Sequence, residues 1–176
     1  ITMIGASHSG KSTTAKQIKA YVESIGKTCK IISSDELRKE MLFLENSQDI
    51  QTRPGFAISE LVFKKLRSEM HYYMSYPCNT DVVIVDTTGL DRTFREDICR
   101  IAVNHTYANV ALLFNLNRTT LESRLKEGTD TFYIGKQVKR MRESVLPNFN
   151  KHDYLATYRI LDKHVTESGN DFEYEF

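Results

Sequence analysis

The sequence of 176 residues has almost no net charge and no long apolar stretch. Lysine and arginine number 24 against 23 acidic residues, so the formal charge is +1 and no global field draws the chain to nucleic acid or to a membrane. Any attraction for phosphate must come from a local cluster of basic residues. No apolar run approaches the roughly 18 residues of a membrane-spanning helix, and we expect no membrane partner.

Cysteine is scarce as well. The three residues Cys29, Cys78 and Cys99 are odd in number and lack the spacing of a metal site, so we expect reduced thiols and a cytoplasmic location. The sequence shows no repeat, low-complexity tract or linker, and 176 residues fit one domain with a single core. Because the sequence begins inside an apolar strand pattern at Ile1, we expect a domain cut from a longer polypeptide.

Short apolar runs alternate with helical patterns along the chain. The five runs, each a predicted β-strand, are Ile1–Gly5, Thr28–Ser33, Val82–Asp86, Val110–Leu116 and Thr157–Leu161. Between the runs, apolar residues recur three or four positions apart, and Gly26 stands where a helix C-cap is expected. The alternation predicts an α/β fold, with a parallel sheet of about five strands and helices on both faces. Ligands of such sheets bind at the carboxyl ends of the strands.

A phosphate-binding loop follows the first strand. Gly5-Ala6-Ser7-His8-Ser9-Gly10-Lys11-Ser12 matches the pattern G-x-x-x-x-G-K-[ST] and precedes an amphipathic helix. Its backbone N–H groups and the helix N-terminus favour phosphate, Lys11 would reach the β/γ oxygens, and the Ser12 hydroxyl would hold Mg²⁺. The sequence therefore predicts a nucleoside triphosphate site that also includes Thr13, with ATP as the default donor and GTP still open.

The second strand ends in a carboxylate, and an arginine follows one helical turn later. Asp35, opposite the phosphate loop, could accept the proton of an attacking hydroxyl, with Glu36 as a weaker rival. Arg38, on the same helix face, could hold a phosphate of the acceptor. The alternative, which these residues alone favour, is that Ser34 or Asp35 only caps a helix that runs on through Leu44.

The third strand also ends in an acid, Asp86. A carboxylate at this place commonly acts on Mg²⁺, its bound waters or an acceptor group, and the alternative is an aspartate that only makes a turn. Arg92 and Arg95 follow on the next loop and helix, where most arginines are solvated. We count Thr88 and Arg92, with Asp35, Arg38 and Asp86, as candidates for binding the acceptor.

The segment from residue 117 to 142 is locally basic, with seven basic residues against three acidic ones and a charge of +4. Gly128 and Gly135 bracket a short segment between two helical patterns, which is the build of a mobile lid that brings arginines over the transferred phosphoryl group. We expect one or two of the basic side chains to reach the nucleotide phosphates, Arg124 first and Arg140 second. The alternative for most of them is a solvated helix face.

These motifs resemble, in combination, the 5′-hydroxyl polynucleotide kinases of phage and bacterial nucleic-acid repair. The resemblance covers roughly residues 1–145 and rests on the phosphate loop, Ser33-Ser34-Asp35-Glu36-Leu37-Arg38, Asp86-Thr87-Thr88, Phe114-Asn115-Leu116 and the arginines that follow. It implies a P-loop kinase fold with a tunnel-like active site, and transfer of a γ-phosphoryl group to a 5′-hydroxyl of RNA or DNA. Members are often fused to a phosphatase or ligase domain, so a fused or partner domain of that kind is expected.

The resemblance also implies roles for individual residues. Lys11 and Ser12 would serve the nucleotide and Mg²⁺, and Arg124 would be the lid arginine. Asp35 would be the general base and Arg38 the clamp on the acceptor's first internucleotide phosphate, with Asp86 beside the acceptor.

The sequence departs from the family pattern at two places. Gly89 stands where members often carry asparagine, and residues 126–131 lack the second lid arginine, for which Arg140 is the candidate substitute.

Two other classes of enzyme stay open. A small-molecule or nucleoside kinase would share the architecture and differ in its acceptor pocket. A switch GTPase would explain Asp86-Thr87-Thr88-Gly89 as D-x-x-G and Asn150-Lys151-His152-Asp153 as the guanine-reading N-K-x-D. That motif should close an apolar strand, however, and Pro147 argues against a central strand there. A module that only sequesters nucleotide would leave Asp35, Asp86 and Arg124 without a task.

Overall fold

The computed structural model describes residues 1–43, 57–125, 131–162, 165–166 and 169–170. Its centre is a parallel sheet of five strands: β1 Thr2–Gly5, β2 Cys29–Ser33, β3 Val82–Asp86, β4 Val110–Phe114 and β5 Ala156–Ile160. All five predicted strands are present, and the α/β fold class is confirmed.

Helices connect the strands and cover both faces of the sheet. They are α1 Lys11–Ser24, α2 Ser34–Leu42, α3 Ser59–Met74, α4 Arg92–Asn104, α5 Arg118–Glu122 and α6 Thr131–Arg140. A π-helical turn, Met141–Val145, continues α6, and a 3-10 turn, Lys151–Asp153, precedes β5. Val165–Thr166 and Gly169–Asn170 pair as a short antiparallel ribbon. Gly26 ends α1 as predicted, with φ 76 and its N–H donated to the Glu23 carbonyl at 3.0 Å.

The sheet order is β2-β3-β1-β4-β5, so β1 lies in the centre. Ser33 of β2 is in register with Asp86 of β3, and Gly5 of β1 is in register with Phe114 of β4. Because all five strands are parallel, the segments that leave these ends meet at one edge of the sheet. That edge is the carboxyl edge, where the sequence predicts the ligand.

Successive strand residues point to opposite faces, and both faces are buried. On one face the strands pack against α1, α5 and α6 through Met3, Ile84, Phe114, Ala15, Leu121, Ile134 and Val138. On the other they pack against α2, α3 and α4 through Ile32, Val83, Val85, Leu37, Val62, Leu66 and Ile98. Each fully buried aliphatic or aromatic side chain contributes about 1.5–3 kcal/mol, so this double layer fixes the carboxyl edge as a rigid platform.

The cysteines and the helices bear on the compartment and the membrane. Cys29, Cys78 and Cys99 are free thiols, as expected, while the cytoplasmic location stays a prediction. In the described part of the chain, no helix has both the length and the apolar character to cross a membrane.

Candidate active site

The phosphate loop, residues 5–12, needs glycine at both ends. A Cβ on Gly5 would lie 2.7 Å from Phe114 Cβ and 2.9 Å from Phe114 O, so no side chain fits between β1 and β4 at this position. Gly10, the N-cap of α1, has φ 93, which is left-handed backbone that favours glycine. The loop therefore turns tightly enough to bring α1's N-terminus to the end of β1, the arrangement that binds phosphate.

Lys11 lies across this loop. Its side chain is buried, and Nζ donates hydrogen bonds to the Ala6 carbonyl at 2.6 Å and to Ser9 Oγ at 3.3 Å. Burial lowers the pKa of Lys11 from 10.5 to about 8, against the opposing influence of the Asp86 and Asp35 carboxylates. An anionic triphosphate beside Nζ would favour the charged form.

We expect this lowered pKa to make nucleotide binding pH-dependent. Below pH 8 the ammonium is already charged, so affinity should be flat. Above pH 8 binding must take up a proton, because bound phosphate raises the pKa of Lys11, and Kd should rise by up to about tenfold per pH unit. Titrating a fluorescent ATP analogue from pH 7.5 to 9.5 checks this, with Lys11→Met as the variant that lacks the slope. A flat Kd in the wild-type protein would contradict it.

Asp86 meets the phosphate loop from the end of β3. It is buried and accepts a hydrogen bond from the Ser12 hydroxyl. Burial raises the pKa of Asp86, which the Ser12 hydrogen bond and the nearby Lys11 charge oppose. A hydroxyl and a carboxylate in contact are two hard oxygen ligands of the kind that Mg²⁺ prefers, so these residues fit the ion. Since Mg²⁺ keeps several waters and binds substrate phosphates, two protein ligands suffice.

Asp35 and Arg38 form an ion pair at the start of α2, with Arg38 Nη1 3.0 Å from Asp35 Oδ1. The Asp35 side chain is 64% exposed, whereas that of Arg38 is 10% exposed and donates to Ser59 Oγ at 3.4 Å. The shared helix face is thus confirmed. Asp35 is also close enough to influence the pKa values of both Lys11 and Asp86.

The predicted helix cap is wrong. The N-cap is Ser33, whose backbone is extended and whose hydroxyl accepts from the Glu36 N–H at 3.4 Å, so α2 begins at Ser34. Asp35 stands in the first helical turn, where a carboxylate is favoured by the helix dipole. Leu44, the predicted end of this helix, lies outside the described residues.

Arg124 contacts the phosphate loop from the segment that follows α5. Its Nη1 donates to the His8 carbonyl at 3.3 Å, across 116 positions of sequence. Gly128 and the stretch without a second arginine fall largely in residues 126–130, outside the described residues. Arg118, by contrast, pairs with Glu122 at 2.7 Å, along its own helix.

The structure does not bring the remaining arginine candidates to the phosphate loop. Arg140 Nη2 pairs with Asp91 Oδ2 at 3.2 Å, on the loop that leaves β3, and Arg92 pairs with Glu96 at 2.7 Å along α4. The expectation of a solvated Arg95 is wrong, because that side chain is buried and donates to the Gly89 carbonyl at 2.8 Å.

Backbone contacts join the end of β3 to the phosphate loop. The Thr88 carbonyl accepts from the Gly5 N–H at 2.9 Å. Gly89 has φ 58, and a Cβ there would lie 2.8 Å from the Met3 carbonyl oxygen. At position 89, where polynucleotide kinases often carry asparagine, this chain therefore requires glycine because the backbone packs closely on β1.

The family model described as "AAA domain" matches residues 1–147. The chain belongs to this AAA domain family. No curated protein matches the chain. Among solved structures, a gluconokinase from Sinorhizobium meliloti 1021 is similar at 20% identity and a TM-score of 0.49, over 91% of this chain and 80% of that chain.

The family match supports a nucleotide-binding P-loop domain, and the structure gives it a five-stranded parallel sheet. The family model gives no support to a polynucleotide acceptor over another hydroxyl compound, so the resemblance to polynucleotide kinases is supported only as far as the P-loop domain.

Sequence reasoning missed one residue of the site. Gln137 of α6 is buried, and its Oε1 accepts the N–H of Ser7 at 2.7 Å. Helix α6 of this AAA domain therefore holds the backbone of the phosphate loop. No motif signals this contact, because the two residues are 130 positions apart.

The guanine-reading motif lacks the position that a GTPase requires. Lys151–Asp153 is a 3-10 turn before β5, whereas the phosphate loop follows β1 at the carboxyl edge. The motif also satisfies its own polar groups, since Asn150 accepts from the His152 N–H at 3.2 Å and donates to Asp153 Oδ1 at 2.9 Å. The switch GTPase alternative thereby loses the element that would read the base.

Proposed function

We propose that this AAA domain transfers the γ-phosphoryl group of a nucleoside triphosphate to a hydroxyl acceptor, and that the acceptor is the 5′-hydroxyl end of an RNA or DNA strand. The observation that carries the proposal is the Asp35–Arg38 ion pair beside Lys11 and Asp86. A carboxylate joined to a positioned guanidinium offers one group for the hydroxyl proton and one for a phosphate of the same acceptor.

Each residue has a separate task in this mechanism. Asp35 accepts the proton of the attacking hydroxyl, and because its side chain is exposed, the 5′ end of an RNA or DNA strand can reach it. Lys11, held by two oxygens of the phosphate loop, stabilises charge on the β/γ-phosphates, and Arg124 adds charge from the lid. Ser12 and Asp86 would hold Mg²⁺, which supplies charge neutralisation at the phosphates when bound.

Positioning accounts for most of the expected rate. Phosphoryl transfer requires the attacking and leaving oxygens in line, with little covalent chemistry for the protein to perform. The register of Ser33 with Asp86 and the contact of Gly5 with Thr88 fix the ends of β1, β2 and β3 relative to one another. Donor and acceptor groups thus stand on one rigid edge.

A second candidate is a kinase whose acceptor is a small hydroxyl compound or a nucleoside. The observation that favours it is a cavity of about 280 Å³ between α3 and the loop that leaves β3. This volume is close to the lower end of the range for small-molecule sites.

The deciding experiment is transfer of labelled γ-phosphate from ATP, and separately GTP, with Mg²⁺. The acceptors are matched 5′-hydroxyl and 5′-phosphate oligonucleotides of RNA and DNA, with free nucleosides and polyols in parallel. Label on 5′-hydroxyl ends alone is the expected result and identifies the donor. Label on a nucleoside or polyol and on no strand would move the second candidate ahead.

Arg38→Ala should raise the acceptor's KM about 10- to 100-fold and leave the donor's KM unchanged, because a charge-assisted hydrogen bond to phosphate is lost. Steady-state kinetics with each substrate varied in turn measure this. Lys39→Ala is the matched control, since Lys39 lies on the same helix and pairs with Glu36. An effect confined to the donor's KM would refute the clamp, and thermal melting shows whether the buried arginine is needed for folding.

A further inference from the structure

The cavity between α3 and the start of α4 has no assigned occupant. Its lining residues come from three segments and include Glu60, Phe63, Arg67, Leu90, Phe94 and Asp97, together with the backbone turn at residues 88–89. All three segments lie near the carboxyl edge, since β3 ends at Asp86 and α4 begins at Arg92.

The cavity adjoins both the proposed acceptor clamp and the end of β3. Glu60 is the chain neighbour of Ser59, whose hydroxyl accepts from Arg38 at 3.4 Å. Thr88, which also lines the cavity, is two residues from Asp86, and its carbonyl accepts the Gly5 N–H. The cavity is therefore a neighbouring site for a ligand that reaches Asp35 with its hydroxyl and Arg38 with its phosphate.

The chemistry of the lining selects against phosphate. Glu60 and Asp97 place carboxylates at the cavity, and Asp97 partly neutralises Arg67, whose Nη1 lies 3.9 Å away. Carboxylates accept hydrogen bonds from amino and ring N–H groups, as they do from the amino groups of bases. An uncharged part of the acceptor with N–H donors fits such a rim better than a phosphate does.

The apolar part of the lining favours a flat ring. Phe63 and Phe94 stand with ring centroids 4.9 Å apart at 53°, and Leu90 completes the wall. Phe94 is buried, whereas Phe63 is partly exposed and offers a ring surface toward the cavity. Aromatic side chains stack on nucleobases, and each such stack contributes measurably to strand binding.

We infer that this cavity binds the base of the acceptor's 5′-terminal nucleotide, with Phe63 as the stacking surface and Glu60 as an acceptor for its N–H groups. The inference rests on the proposed function, because it assigns the base of the same acceptor whose 5′-hydroxyl meets Asp35. The volume of about 280 Å³ is enough for one base.

The test compares 5′-hydroxyl oligonucleotides that differ only at the first residue, intact or abasic. With wild-type protein, removal of the base should lower kcat/KM about tenfold or more. Phe63→Leu keeps an apolar side chain at this position. In this variant, kcat/KM for the intact acceptor should fall by a similar factor, and kcat/KM for the abasic acceptor should hardly change. Tyr72→Leu, an exposed aromatic farther along α3, is the matched control. Equal rates for intact and abasic strands would overturn the inference while leaving the proposed function standing.

A binding measurement separates failure of the inference from failure of the function. Calorimetric titration with a dinucleoside monophosphate, and with its 5′-abasic counterpart, needs no phosphoryl transfer. Tighter binding of the intact compound, lost in Phe63→Leu, supports the base site even when no strand is labelled. Binding of a polyol that depends on Phe63, with no preference for a base, would overturn the assignment in favour of a small-molecule acceptor.

Discussion

Asp35→Asn should leave nucleotide binding unchanged and lower the rate of phosphoryl transfer by about 10²- to 10⁴-fold, the usual contribution of a general base. The amide has the shape of the carboxylate but cannot take the proton of the attacking hydroxyl. Because the Asp35 side chain is 64% exposed, the substitution removes no core contact, and the protein should fold normally. Single-turnover transfer measures the loss of rate, and the nucleotide Kd, measured on the same preparation, tests whether binding is unchanged.

The control for this experiment stands beside it in the sequence. Glu36 is also a carboxylate, 70% exposed and paired with Lys39 at 2.8 Å, so Glu36→Gln should leave transfer almost unchanged. Transfer retained in the Asp35 variant would reduce Asp35 to the ion partner of Arg38. Transfer lost only in the Glu36 variant would make that neighbour the base.

Most of the fold is predictable because its signals are local. β3 and β4 are short apolar runs buried on both faces, and that property alone predicts them. The edge strands β2 and β5 are mixed, since they also carry Lys30 and the exposed Arg159. Local signals do not fix the start of α2, because a serine or aspartate at any of the positions Ser33, Ser34 and Asp35 is able to cap a helix. Ser33 takes the cap because its register with Asp86 keeps it extended, and the helix follows at once.

The candidate site divides in the same way. The phosphate loop and the acids at the ends of β2 and β3 are found from sequence, because each motif is contiguous with the strand that positions it. Gln137 could not be found, since its partner Ser7 is distant in sequence and any amide side chain looks ordinary on a helix.

Charge patterns alone mislead about the other arginines. Arg95 and Arg140 carry the same charge as Arg124, but Gly89 and Asp91 of the β3–α4 loop bind them instead. The motif Asn150-Lys151-His152-Asp153 fits its pattern letter by letter, but it precedes its strand. Position relative to the carboxyl edge, which only the fold supplies, decides these cases.

Lys11→Met should lower phosphoryl transfer by about 10²- to 10³-fold, because a preorganised cation at the developing phosphate charge is lost. Methionine keeps the buried apolar stem, so the loop should hold its shape. Lys16→Met is the matched control, since Lys16 lies exposed on the same helix. Equal losses in both variants would indicate a general effect of charge, and transfer that survives in Lys11→Met would assign the stabilising charge to Arg124.

The same variant has a second readout, of opposite sign, in stability. Burial lowers the pKa of Lys11 to about 8, whereas the unfolded chain keeps 10.5, so the folded protein holds an unfavourable buried ammonium at pH 7. That cost is relieved as the pH rises from 8 toward 10.5, where the unfolded chain loses the proton as well. Lys11→Met should therefore raise the melting temperature at pH 7, and the gain should shrink above pH 8. If the variant is slower in transfer but more stable, Lys11 serves phosphate binding rather than the stability of the fold. If the variant is slower and also less stable, the hydrogen bonds of Lys11 to Ala6 and Ser9 stabilise the loop.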